Sequence, residues 1–252
     1  SGYEVASHTT GFHLRPIIDT VILKGAGLTQ TDLERAFRGE QIGSINPENI
    51  KTVVLDNASF ALTARTEVPA NKTLVVNGKA TFSGNTDIRL IVNGAISVNS
   101  GGNISTNCLL ENHGNITYTG NAFNDVVITN SGKIEMLSGT IDAGAAIGIQ
   151  NSDASALIAM TGGTVKSEHA AIDVTEGALQ FSKGIIENTY AGADTANRFA
   201  LMGNTEFAGI NGTDYGVIAK VEALLWDKLA ERPTFGSTPL PPDRVYLSRT
   251  TI

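Results

Sequence analysis

Residues 126–144, VVITNSGKIEMLSGTIDAG, break into three short stretches of alternating apolar residues, divided by Asn130-Ser131-Gly132 and Ser138-Gly139. An apolar spacing of two with glycine every six to eight residues rules out helix. Each stretch is also too short to make a stable sheet by itself. The pattern recurs at 88–105, 108–117, 147–167 and 171–188, and more loosely at 200–213. Successive bends at Gly94, Gly114, Gly132, Ala156 and Gly177 lie 20, 18, 24 and 21 residues apart. Three short strands repeated about every twenty residues describe a solenoid, in which stacked turns bury the inner face that one turn cannot. The bends need residues that tolerate positive φ, which explains the Gly and Asn between strands.

Two expectations about the interior follow. In the opening stretch Val126, Ile128, Ile134, Met136 and Ile141 should point inward. Asn93, Asn112, Asn130, Asn151 and Asn204, each near the end of an apolar strand, should stack from turn to turn as a ladder of amide hydrogen bonds.

The period, the bend glycines and the Asn positions over roughly 70–212 resemble the right-handed parallel β-helix proteins of the pectate-lyase-like superfold. The resemblance implies an all-β fold, a right-handed parallel β-helix of about 20 residues per rung over 70–213. The superfold includes polysaccharide lyases and hydrolases, autotransporter adhesin passengers, and bacteriophage tailspikes and virion surface proteins.

The flanks lack the period. Residues 1–20 read as an extended arm and 21–69 as a strand–helix–strand entry segment. In that segment Thr31 and Glu34 have capping-box spacing, Leu33 and Phe37 share one helix face, and Gly39 is a stop. Residues 214–232 read as an amphipathic helix capped by Asp214. Its apolar face of Val217, Val221, Leu224, Leu225 and Leu229 could close the solenoid or dock a partner. The Pro-rich stretch 233–252 reads as a second arm placed against something else.

Composition narrows the function classes. Hydrophobic residues make up 41% and charged residues 17%, which suits a packed core. A net charge of −7 argues against a nucleic-acid partner, which needs clustered Lys and Arg. Apolar runs fall short of the ~18 residues of a membrane helix. The first ten residues, SGYEVASHTT, have neither the basic start nor the apolar run of a secretory signal. Cys108 is the only cysteine and reads as an inert buried thiol.

Lyases of the resembled superfold use clustered acidic Ca²⁺ ligands and an Arg or Lys base, whereas the acidic residues here are spread singly along the rungs. The galacturonase-like hydrolases carry Asn-Thr-Asp, Asp-Asp, Gly-His-Gly and Arg-x-Lys. This chain offers only Asn85-Thr86-Asp87 and His113-Gly114, with no Asp-Asp and no later Arg-x-Lys. No carboxylate pair suited to glycoside hydrolysis stands out. Gly25 and Gly27 lack the remainder of a phosphate loop. The densest polar group is Glu168, His169 and Asp173, which reads as a surface turn followed by a strand, or as an acid–base patch. No catalytic residue, metal or cofactor is expected.

The resemblance and these exclusions give the expectation of a non-catalytic structural solenoid of a bacteriophage virion, a capsid decoration, cement or tail protein. Its terminal arms would clasp neighbours, and by analogy it would be a homotrimer. The alternatives are a polysaccharide-binding or polysaccharide-cleaving tailspike or lyase with a surface glycan as partner, and a bacterial adhesin passenger. Localisation would be the virion, made in the host cytoplasm, or otherwise the extracellular surface.

Overall fold

The structure is a computed structural model that describes residues 2–8, 11–17, 19–38, 50–181, 183–191, 199–204, 234–235, 238–239 and 244–248. It forms a parallel β-solenoid of about six turns, with about 23 residues in each. The strands build three faces. Face A stacks Thr73–Asn77, Ala95–Val98, Asn115–Tyr118, Thr140–Asp142, Thr164–Ser167 and Ile185–Asn188. Face B stacks Lys79–Ser83, Asn103–Thr106, Val126–Asn130, Ile147–Asn151, Ala170–Val174 and Phe199–Asn204. Face C stacks Thr66–Val68, Arg89–Val92, Leu109–Asn112, Lys133–Met136, Leu157–Met160 and Ala178–Phe181. The chain visits C, A and B in turn.

The alternation is strict on face A, where one residue in two lies inside. On face A, Val53, Leu74, Ile96, Ile116, Ile141, Val165 and Ile186 stack rung on rung and are all buried. Each such side chain contributes roughly 1.5–3 kcal/mol relative to exposure, so the stack outweighs the short length of any one strand. Phe60 and Phe82 stack under face B with ring centroids 5.5 Å apart. Of the expected inward residues, Ile128, Ile134, Met136 and Ile141 are fully buried in this core. Val126 is not among them; it packs with Ile147, Ala170 and Met202 in a separate small cluster.

The true period corrects the sequence reading at one point. Gly94 and Gly114 share the corner between faces C and A, and the next residue there is Gly139; Gly132 and Gly177 turn between faces B and C. The three strands of a turn look alike locally, so spacing alone slips by one strand between Gly114 and Gly132. At the C–A corner the requirement for glycine is steric. A methyl on Gly114 would run into the Gly94 carbonyl, and one on Gly139 into that of Gly114.

The parallel ladder begins well before residue 70. Thr20–Thr29 pairs in parallel with Thr52–Ala61, a strand long enough to run along face A at 52–56, turn at Asn57 (φ 49°), and continue on face B. Among the described residues between these two strands lies one helix, Gln30–Arg38, which buries Leu33, Ala36 and Phe37. Its capping box is Thr29 with Asp32, not Thr31 with Glu34. The Thr29 N–H donates to Asp32 Oδ2 at 2.8 Å and the Asp32 N–H to Thr29 Oγ1 at 3.3 Å. The Thr29 hydroxyl, which donates to Asp32 Oδ2 at 2.7 Å, and then the Thr29 N–H hold the Asp32 carboxyl below its usual range. Glu34, one turn in, instead accepts from Gln30 at 2.7 Å and Arg38 at 2.6 Å.

Gly2–His8 and Gly11–Ile17 pair antiparallel as a two-stranded sheet of their own. At the other end Arg244–Ser248 folds back to pair antiparallel with Phe199–Asn204, the last rung of face B. Thr234–Phe235 and Thr238–Pro239 form a short ladder. The helix expected at 214–232, with Val217, Val221, Leu224, Leu225 and Leu229, lies outside the described residues. Among the described residues no helix is long and apolar enough to cross a membrane.

Candidate functional site

The Asn positions fall into several different columns. Asn130 and Asn151 are stacked neighbours on face B and fully buried. Asn130 Nδ2 donates to Asn151 Oδ1 at 2.8 Å and to the Leu157 carbonyl at 3.2 Å, and Asn130 Oδ1 accepts the Gly132 N–H at 3.1 Å. Asn151 Nδ2 in turn reaches the Ala178 carbonyl at 3.1 Å. The ladder is therefore two rungs long, with Thr106 below and Val174 above. Asn112 belongs to face C, between Val92 and Met136. With no amide on either side, its Oδ1 has no hydrogen-bond donor among the described residues. Asn93 follows its strand and donates to Glu67 Oε1 at 2.7 Å. Asn204 pairs with Arg244 of the returning strand.

Glu168, His169 and Asp173 do not converge. His169 lies under Phe123, its ring stacked on the phenyl at 3.6 Å and its Nδ1 2.5 Å from the Phe123 carbonyl. Asp173, four residues further along extended backbone and so roughly 13 Å away, accepts from Gln150 at 2.9 Å and Thr175 at 3.1 Å. The Glu168 N–H donates to the Gly144 carbonyl at 2.6 Å and its side chain is exposed. These residues fasten three separate pieces of the corner and outer face around face B.

The most organised polar surface lies on the outside of face C. Arg89 Nη1 is 2.8 Å from Glu111 Oε2, His113 Nε2 is 2.8 Å from Glu111 Oε1, and Lys133 Nζ is 2.6 Å from Glu135. Arg65 lies 3.6 Å from Glu67. The Glu111 side chain is only 11% exposed. The hydrogen bond from His113, and then Arg89, hold its carboxyl below the ordinary carboxylate range against the opposing effect of burial. At the N-terminal end of this surface the helix brings Glu34, Phe37 and Arg38 up to Arg65, Glu67 and Pro69 around a cleft of about 450 Å³.

Ser138, one turn above His113, completes a Ser–His–Glu order with the residue types of an acyl-transfer relay. Its geometry is that of a corner contact. Oγ is 3.4 Å from His113 Nδ1 and 3.5 Å from the His113 carbonyl, beyond the 2.5–3.0 Å of a good hydroxyl bond to oxygen. The network orders a charged surface more than it activates a nucleophile. Among the described residues no three His, Cys, Asp or Glu side chains gather as a metal site requires. Cys108 is buried 3.1 Å from Thr106 Oγ1, and burial raises its thiol pKa.

Sequence reading passed over face C because its charges are scattered along the chain. The signal is an offset of 24: Arg65 to Arg89, and Glu111 to Glu135. A period set near twenty hides it. Comparison with known proteins returned no matching family model, no matching curated protein and no matching solved structure.

Proposed function

We propose that the chain is a non-catalytic structural solenoid of a larger protein assembly, a capsid decoration, cement or tail protein on a virion surface. The observation that supports this reading is the N-terminal hairpin, Gly2–His8 with Gly11–Ile17, which forms a two-stranded sheet separate from the solenoid. A lone two-stranded ribbon is marginal in water and gains stability from a third strand or a packed surface. A neighbouring subunit of a shell or tail supplies that surface, and strand addition is a common mode of such attachment. The solenoid then serves as a stiff body held by its hairpin, and oligomerisation belongs to the same reading. The resemblance to virion proteins of the pectate-lyase-like superfold enters here as analogy.

The test is cryo-imaging of native particles from the source, combined with incorporation assays using the full chain and a Val5→Pro/Leu14→Pro variant. Those two residues face each other across the hairpin. The reading expects density for the solenoid on the particle and loss of incorporation in the variant. A chain that associates with no shell or tail refutes it.

One observation favours a second reading, recognition of an acidic saccharide. The cleft of about 450 Å³ beside Arg38 and Arg65 is of small-sugar size. Binding and depolymerase assays on acidic polysaccharides, with an Arg65→Ala control, decide it; no binding across the panel removes this reading.

A further inference from the structure

The outward residues of face C fall in two columns parallel to the solenoid axis. The first residue of each strand, or the one just before it, gives a column of Arg65, Arg89, Leu109 and Lys133, basic except at the buried Leu109. Two places further along, Glu67, Ile91, Glu111 and Glu135 give a second column, acidic except at the buried Ile91. The columns are about 7 Å apart and successive rungs about 4.8 Å. The surface is thus striped, positive on one side and negative on the other. Beyond Lys133 the first column continues as Leu157 and Ala178 and the second as Ala159 and Gln180, so that the charges give way to a patch that is apolar or small except at Gln180. Among the described residues the connections from face C to face A are short, two residues at 93–94 and 113–114 and three at 137–139 and 161–163.

We propose that face C is a self-association surface whose partner is a second copy of this chain, packed side by side about a two-fold axis parallel to the solenoid axis. This rests on the assembly reading and names one of its contacts. The symmetry follows from the stripes. A two-fold parallel to the axis exchanges left and right while keeping each rung opposite its own copy. It therefore sets Lys133 against the partner's Glu135, and Arg89 diagonally against the partner's Glu111. A two-fold across the axis turns one copy end for end and sets like columns against like, which charge repulsion opposes. The apolar patch from Leu157 to Ala178 supplies the water-excluding contact that ion pairs alone lack.

The experiment is sedimentation velocity on the full chain from 1 to about 100 µM at low and high salt, with two charge variants. The expected result is a monomer–dimer equilibrium that weakens at least about tenfold in high salt. Lys133→Glu should weaken it about tenfold or more, and Lys133→Glu/Glu135→Lys should restore it to within about threefold, since the exchanged pair remains complementary across this axis. That restoration also shows that the single variant did not fail by misfolding. Oxidation of a mixture of Leu157→Cys and Ala159→Cys chains should give a cross-linked dimer, while neither chain alone should. A monomer at every concentration overturns the proposal, as does a trimer. It also fails if Lys133→Glu has no effect, if the double exchange is as weak as the single, or if Leu157→Cys cross-links by itself. The two readings separate cleanly: Val5→Pro/Leu14→Pro should lose particle incorporation and keep this dimer, whatever the charge variants do.

Discussion

Replacing Asn130 by Ala should be among the most damaging single changes in the solenoid, and replacing Asn112 by Met among the least. Both amides are fully buried at the end of a strand, three residues after its first apolar position or later. Asn130→Ala strands two buried groups: the Gly132 N–H, which donates to Asn130 Oδ1, and Asn151 Oδ1, which accepts from Asn130 Nδ2. Each unsatisfied buried group costs about 1–3 kcal/mol, so the loss should be about 4 kcal/mol. For a chain of this size that is a fall in Tm of roughly 8–16 °C. Asn112→Met removes only a 3.3 Å bond to the Gly114 carbonyl, which keeps the Thr140 N–H at 2.9 Å. It also replaces an unpaired oxygen by an apolar chain between Val92 and Met136, so Tm should hold or rise. Thermal unfolding is the first assay; hydrogen exchange at the Gly132 amide is the second, and should show a local loss of protection in Asn130→Ala. A double-mutant cycle with Asn151→Ala should give a coupling of about 1–3 kcal/mol. If Asn130→Ala falls within about 0.5 kcal/mol of the parent, or Asn112→Met is the more damaging, the hydrogen-bond reasoning is refuted.

Three further outcomes are expected. Gly114→Ala forces a methyl against the Gly94 carbonyl; because backbone must move, the cost should be at least about 1–3 kcal/mol, read as Tm beside the exposed control Asn115→Ala. The Glu111 carboxyl is depressed from 4.5, so the stability it contributes is complete above about pH 4.5 and is lost as pH falls through the lower folded value. The Tm difference between the parent and Glu111→Gln should therefore shrink on acidification below that point, and a gap that widens would count against the assignment. Cys108 is buried with a raised thiol pKa, so an aromatic disulfide reagent should label it only on unfolding; rapid labelling of the native chain contradicts that placement.

The solenoid was legible in the sequence because its cause is local. Alternation at Ile134 and Met136, or Ile158 and Met160, marks an inner face whichever strands lie above and below. Register was not legible. Whether Asn112 stacks on Asn130 or on Met136 depends on pairing between residues some two dozen apart, and three similar strands per turn leave that choice undetermined locally. The slip of one strand at Gly132 scattered the Asn column and concealed the stripes of face C. The helix was readable from Leu33 and Phe37, yet its start was misplaced because Thr29 and Thr31 both precede an acidic residue by three. Of the site, Glu168, His169 and Asp173 are close in sequence and apart in space, whereas Arg89 and Glu111 are the reverse.

The strand Arg244–Ser248, lying antiparallel on the last rung of face B, has a consequence for growth. A solenoid with three free parallel edges can in principle continue into the first turn of the next molecule and so on into a filament. Here one of the three edges is already occupied by a strand running the opposite way, so an incoming copy cannot extend all three faces in phase. End-to-end polymerisation is thereby discouraged by the chain's own tail. On face B, growth past the last rung would require displacing Arg244–Ser248.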